Sequence, residues 1–150
     1  MGLAVLSASG AGLQVDCVFR VSKLSMEGAK VIVVSKDGAA RTITEGLTHI
    51  VLPLQLQEDY LVSFERPGCP RKQLLFNTRV PASSSSDAGF SFPIEVTLEP
   101  APDGREFEYA GPVGNIRYDN RLDDFGYDTD YSIAPDTALV RRLDLVRATS

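Results

Sequence analysis

Strict alternation of apolar and polar side chains runs through most of the first hundred residues, and it restricts this chain to β-structure. Successive side chains on a strand point to opposite faces, so a period of two marks a strand with one buried face. In Leu13–Val21, the residues Leu13, Val15, Cys17, Phe19 and Val21 share such a face. Ala29–Ser35 repeats the pattern, with Ala29, Val31 and Val33 on one side and Lys30, Ile32 and Val34 on the other. Lys36-Asp37-Gly38 reads as a hairpin turn, because Asp-Gly supplies the positive φ that tight hairpins need. Arg41–Thr44 returns as a short strand. Thr48–Leu54 follows, with Ile50, Leu52 and Leu54 inward and His49 and Val51 outward. Pro53 within that run predicts an edge or a bulge, since proline cannot donate to a ladder. Tyr60–Glu65, Arg71–Thr78 and Phe90–Leu98 complete seven strands, separated by turn signals such as Pro67-Gly68 and the polar loop around Ser83–Asp87. Short alternating strands punctuated in this way predict an all-β sandwich.

The pattern weakens after Glu99, where Pro100, Pro102, Asp103-Gly104 and Gly111-Pro112 break any long element. Asn115–Tyr118 predicts one more short strand, and Asp119–Tyr131 reads as ordered coil. Pro135 to Arg147 predicts a short helix. Leu139, Val140, Leu143 and Val146 fall on one helical face, Pro135 suits a first turn, and Asp136 and Arg147 complement the helix dipole.

Charge follows the same division. Residues 1–100 carry 9 Lys+Arg against 10 Asp+Glu, whereas residues 101–136 carry 3 against 9, a net of −6. Residues 137–150 carry 3 Arg against 1 Asp. The net charge of −5 argues against nucleic acid as a partner. With 150 residues the chain is one domain, or a smaller domain with an extension, and it needs neither disulfide nor metal to fold. No apolar run approaches the ~20 residues of a membrane helix. The organisation expected is an arm at 1–12, a sandwich at 13–100, an acidic aromatic extension at 101–134 and a helix at 135–147. Met1–Gly12 is small, apolar and uncharged, which fits either a flexible arm or the remnant of a signal peptide. Cys17 reads as a core hydrophobe and Cys69 as a turn residue. A disulfide between them is the less favoured alternative, and two Cys with one His lack metal-ligand spacing.

Several stretches resemble a known family. Glu27–Val33, Lys36-Asp37-Gly38, His49–Leu54, Asp59–Phe64 and Pro67-Gly68 are similar to the carboxypeptidase regulatory-like, or transthyretin-like, domain. Phe76–Pro81, Phe90–Leu98, Pro112–Asp119 and Phe125–Tyr131 resemble a group of cell-envelope proteins of Bacteroidota; here Arg79 runs directly into Val80, one residue shorter than that pattern. The resemblance covers roughly residues 13–135. It implies a seven-stranded Greek-key sandwich of transthyretin (prealbumin) type, an exported location (periplasmic, cell-surface or extracellular) and a non-catalytic role. A fold alone does not fix an activity.

The candidate binding residues lie in the extension: Tyr118, Asp119, Asp123, Asp124, Phe125, Tyr127, Asp128, Asp130 and Tyr131. Carboxylates gathered on a loop suit Ca²⁺, a hard cation that takes six to eight oxygens. Only Asp128 and Asp130 have Asp-x-Asp spacing, and the EF-hand pattern is absent. The favoured reading is an acidic segment whose aromatics pack along the sandwich while its carboxylates face water or a basic partner. His49, the one histidine, reads as a surface residue, and no catalytic residue is assigned. Arg71-Lys72, with Arg66 and Arg79, forms a modest basic strand face. The sequence thus predicts a structural or protein-binding module, using strand edges or the extension. The alternatives are a subunit of a homopolymeric surface filament and a Ca²⁺- or ligand-binding module. A hydrolase using paired carboxylates is the least favoured class.

Overall fold

The computed structural model describes residues 12–83, 89–101, 107–109, 111–128 and 139–141. All regular structure among them is β, and no described helix is long and apolar enough to cross a membrane. The strands are β1 (Gly12–Val21), β2 (Lys30–Ser35), β3 (Ala40–Ile43), β4 (Ile50–Gln55), β5 (Asp59–Arg66), β6 (Cys69–Asn77), β7 (Phe90–Leu98), β8 (Phe107–Tyr109), β9 (Gly114–Asp119), β10 (Asp124–Tyr127) and β11 (Leu139–Arg141).

The first seven are the strands that alternation predicts. They divide between a three-stranded sheet, ordered β4-β1-β7, and a six-stranded sheet, ordered β10-β9-β6-β5-β2-β3. The connections β1–β2, β3–β4, β4–β5 and β6–β7 pass from one sheet to the other, which makes a sandwich. Lys36-Asp37-Gly38 does form the β2–β3 turn. Gly38 adopts φ 95°, and its N–H donates to the Ser35 carbonyl at 2.9 Å.

Between the sheets lies one apolar core. From β1 come Leu13, Val15, Cys17 and Phe19; from β4, Ile50, Leu52 and Leu54; from β7, Ile94, Val96 and Leu98. They meet Val31, Val33, Val62, Phe64, Leu74 and Phe76 of the larger sheet. Phe19 and Phe64 meet edge to face across the two sheets, with ring centroids 5.2 Å apart. Each such side chain, fully buried, contributes ~1.5–3 kcal/mol.

Two expectations are corrected here. The boundary at residue 100 is not a boundary of the fold. β9 pairs in parallel with β6, Leu74 opposite Gly114 through Asn77 opposite Arg117, and β10 pairs with β9. Ile116 and Phe125 are buried in the same core as Phe76. The cause is that β6 offers an open backbone edge and the apolar Leu74 and Phe76 beside it, and the extension supplies a strand to pair and Ile116 and Phe125 to cover them. The second correction concerns the helix predicted at 135–147. Its described part, Leu139–Arg141, is β11, antiparallel to β8. A short apolar run fits a strand as readily as a helical face, and β8 offers a backbone to pair with. The rest of that segment, and residues 1–11, lie outside the described residues.

Every edge of the two large sheets carries a device against strand addition. On β4, Pro53 lacks an N–H. The Gln55 N–H donates to the Tyr60 hydroxyl at 3.0 Å, and its carbonyl accepts from the Thr78 hydroxyl at 2.6 Å. That hydroxyl also accepts from the Glu58 N–H at 3.0 Å. On β7, Pro93 again removes a donor. The Leu98 carbonyl faces β1, accepting from the Ser22 N–H, so that of Thr97 faces outward, where the Lys72 ammonium caps it at 2.8 Å. β3 has four residues and, opposite core-facing Val33, carries Arg41. β10 has four residues, and the Asp124 carboxylate takes the Phe125 N–H at 2.7 Å. These caps count against the expectation that an exposed edge recruits a partner strand.

Both cysteines are free thiols. Burial pushes the Cys17 thiol up to about 12, so it stays protonated and shielded. Cys69 is only partly buried; burial raises its pKa and Arg66 opposes that. Iodoacetamide is therefore expected to modify Cys69 in the native protein and Cys17 only on unfolding. Mass spectrometry of labelled protein with and without urea checks this; equal native labelling would show that the core is open.

Candidate functional site

The β9–β10 hairpin collects most of the predicted binding residues. β9 runs beside β6, and glycine at 114 leaves the Leu74 side chain its place; a Cβ there would sit 2.9 Å from Leu74 Cδ2 and push it aside. The hairpin turn is built by Asp119. Its carboxylate accepts the Arg121 N–H at 2.8 Å, and its carbonyl accepts the Leu122 N–H at 3.1 Å. Asp123 then adopts φ 51°, a left-handed conformation that aspartate tolerates better than most residues. The chain turns back with Asp124 opposite Asp119 and Phe125 opposite Tyr118.

Alternation sorts the hairpin into two faces. Ile116, Tyr118, Phe125 and Tyr127 lie on the side facing β7. Phe90, Phe125 and Tyr118 form a triangle of edge-to-face rings, with centroids 5.2 to 5.9 Å apart. Tyr127 packs edge-on against Phe92 at 5.4 Å. Such pairs add ~0.5–1.5 kcal/mol each beyond their burial, so the hairpin is held rigidly over the start of β7.

The outer face carries Asn115, Arg117, Asp119, Asp124 and Gly126. Directly opposed like charges destabilise a sheet, and Asp119 faces Asp124. Arg121 offsets this by an ion pair with Asp119 at 3.3 Å. Its guanidinium hydrogen bonds, then its backbone N–H, hold the Asp119 carboxyl below the usual carboxylate range. Asp128, 15% exposed, pairs with Arg117 at 3.2 Å and lies 3.5 Å from the Asn115 amide. The Tyr118 hydroxyl donates to Asp123. Beside these groups runs an open groove of about 290 Å³, lined by Arg117, Tyr118, Asn120, Arg121, Tyr127 and Asp128.

The hairpin thus unites Tyr118, Asp119, Asp123, Asp124, Phe125, Tyr127 and Asp128. Asp130 and Tyr131 lie outside the described residues. Asp119, Asp123, Asp124 and Asp128 each accept a donor from the protein, and no three His, Cys, Asp or Glu side chains among the described residues converge on a cation position. The described part of the candidate Ca²⁺ pair, Asp128, is occupied by a guanidinium, a poor fit to a hard cation. His49 is exposed, as alternation predicts. Sequence reasoning did not single out Arg117, Arg121, Leu122, Phe90 or Phe92. The Asp119/Arg121 spacing was legible; the Arg117–Asp128 pair joins different strands and was not.

Models of protein families and curated proteins give no match to this chain. Among solved structures, it is similar to the C-terminal fragment of the pilus adhesin SpaC from Lactobacillus rhamnosus GG, with 12% identity and a TM-score of 0.37. The alignment covers 61% of this chain and 46% of that one.

Proposed function

We propose that this protein is a non-catalytic, protein-binding module of the cell envelope or exterior, and that it engages its partner through the β9–β10 hairpin. One observation carries the reading. Leu122 (63% exposed) and Tyr127 (54%) are the two most exposed large apolar side chains among the described residues, and both stand on this one rigid hairpin. Leu122 stands over Gly126 on the outer face, among Arg117, Arg121 and the aspartates, while Tyr127 borders the groove from the face that meets β7. An exposed leucine inside a rim of Arg and Asp is the anatomy of a protein contact. The capped sheet edges favour docking by side chains over strand exchange. The non-catalytic part is supported by the carboxylates of the described residues: the two displaced from their ordinary range, Asp37 and Asp119, are lowered by hydrogen bonds, whereas a general acid needs a raised one. The exported location is supported by the resemblance to transthyretin-like envelope domains.

A photo-crosslinking residue at position 122 is expected to capture a specific protein in the native host's envelope fraction. The same residue at the exposed His49, on the other sheet's side, is expected to capture none. Equal capture at both positions, or none at 122, would sink the reading. Leu122→Asp should abolish the contact while changing stability by no more than ~0.5 kcal/mol, as at other exposed sites.

A further inference from the structure

At one corner of the sandwich the core-side positions of the larger sheet turn polar. Tyr60 stands opposite buried Phe76 and opposite Ser35, and Arg41 stands opposite buried Val33. β3 is the edge of the larger sheet there and β4 the edge of the smaller one. An open groove of about 280 Å³ lies between the two edges. Val33, Pro53 and Leu54 give it an apolar wall, and Arg41, Glu58 and Tyr60 bring polar groups to it.

Those three polar groups are unspent within the chain. The Arg41 guanidinium is partly buried, yet it makes no hydrogen bond or ion pair among the described residues. Nor does the Glu58 carboxylate, although Thr78 clamps the Glu58 backbone at its N–H (3.0 Å) and its carbonyl (2.8 Å). The Tyr60 hydroxyl accepts the Gln55 N–H at 3.0 Å, but its own proton goes to no described acceptor. Burial raises the Tyr60 pKa, so that proton is retained. The neighbouring charges are matched instead. Asp59 holds Arg79 at 2.7 Å and Lys36 at 3.9 Å, and the Asp37 carboxylate takes the Ser35 hydroxyl and the Ala39 N–H.

An inward charge on an edge strand deters strand addition, and Arg41 serves that end. That role requires neither an unpaired carboxylate nor an unused hydroxyl on the same groove. A guanidinium and a carboxylate that share a groove without pairing are complementary to one molecule carrying both charges. The guanidinium fork and a hydroxyl suit a carboxylate, and Glu58 suits an ammonium. The volume falls at the bottom of the ~300–1,000 Å³ range of ligand sites, which limits the occupant to a small molecule.

We propose that this corner groove binds a free amino acid with an apolar side chain. Its carboxylate takes Arg41 and the Tyr60 O–H, its ammonium takes Glu58, and its side chain lies along Pro53 and Leu54. The site goes beyond the hairpin reading and is independent of it, since β3 and β10 are opposite edges of the larger sheet.

Calorimetry and amide NMR on the full chain test it, with L-leucine, L-valine and L-phenylalanine as probes. At least one is expected to bind with a Kd of about 1 mM or tighter and to move the amides of Arg41, Glu58 and Tyr60. For L-leucine, N-acetyl-leucine lacks the ammonium and leucinamide lacks the carboxylate. Each should bind about tenfold or more weakly, the cost of a lost charge-assisted hydrogen bond. Glu58→Gln should erase the preference over N-acetyl-leucine, and Arg41→Gln the preference over leucinamide. A general loss of fold would not split the two in this way. Absence of binding by all three amino acids at about 10 mM overturns the proposal. So does equal binding of either single-charge analogue to the native protein, which would mean that a peptide end suffices. Shifts confined to the β9–β10 hairpin would overturn it too.

Discussion

Removal of residues 105–150 is expected to destroy the cooperative unfolding transition of this protein, not to leave a trimmed native sandwich. The segment looks detachable because it is acidic, rich in turn residues and follows seven complete strands. Yet it delivers β9 and β10 to the larger sheet, and with them Ile116 and Phe125 to the core. Each of these is worth ~1.5–3 kcal/mol when buried. Their loss also uncovers Leu74 and Phe76 of β6 and strips Phe90 of two aromatic neighbours. The total reaches about 5 kcal/mol, comparable with the whole stability of a small domain, roughly 5–15 kcal/mol. Urea titration followed by amide-proton dispersion and fluorescence provides the measurement. A truncated protein that still melts cooperatively within about 1 kcal/mol of the full chain would contradict this account. Ile116→Ala isolates the same effect without shortening the chain and should cost about 2–5 kcal/mol.

Phe64→Ala should be among the most damaging single substitutions in the first hundred residues, at about 3–5 kcal/mol. Phe64 is fully buried, and its ring is the edge-to-face partner of Phe19 on the opposite sheet. Its backbone is paired with Val31 on one side and Lys72 on the other, just before an irregularity in the β5–β6 ladder, so the ring is fixed in place between the sheets. The cavity left by the ring lies between the two sheets, where neither can close on it without moving the other. Phe64→Leu should cost clearly less, because it retains most of the apolar contact. An equal cost for leucine and alanine would mean that the aromatic pair, not the filled volume, matters at this position. Chemical denaturation of the two variants distinguishes these outcomes.

The functional hairpin was partly legible. Tyr118, Phe125 and Tyr127 announce themselves as aromatics in an acidic stretch, and the structure does seat them along the sandwich. Their partners Phe90 and Phe92 lie about thirty residues earlier in the chain, and nothing local connects them. The Arg117–Asp128 pair is hidden in the same way. It forms because the hairpin brings the start and end of the segment together, a consequence of register and not of spacing.

The sequence by itself determined the strands from β1 to β7, their inward faces, the Asp37-Gly38 turn and the edge position of β4. Each is set within a few residues, by side-chain alternation or by backbone conformation, so local reading suffices. Tertiary structure alone decided that β9 joins β6, that β11 is a strand paired with β8, and that the edges are capped by Tyr60, Thr78, Lys72 and Asp124. Short strands in a stretch broken by Pro and Gly, such as β8, β10 and β11, carry too little periodicity to declare themselves. Their conformation follows from a distant backbone that offers its hydrogen bonds and an apolar surface that must be covered.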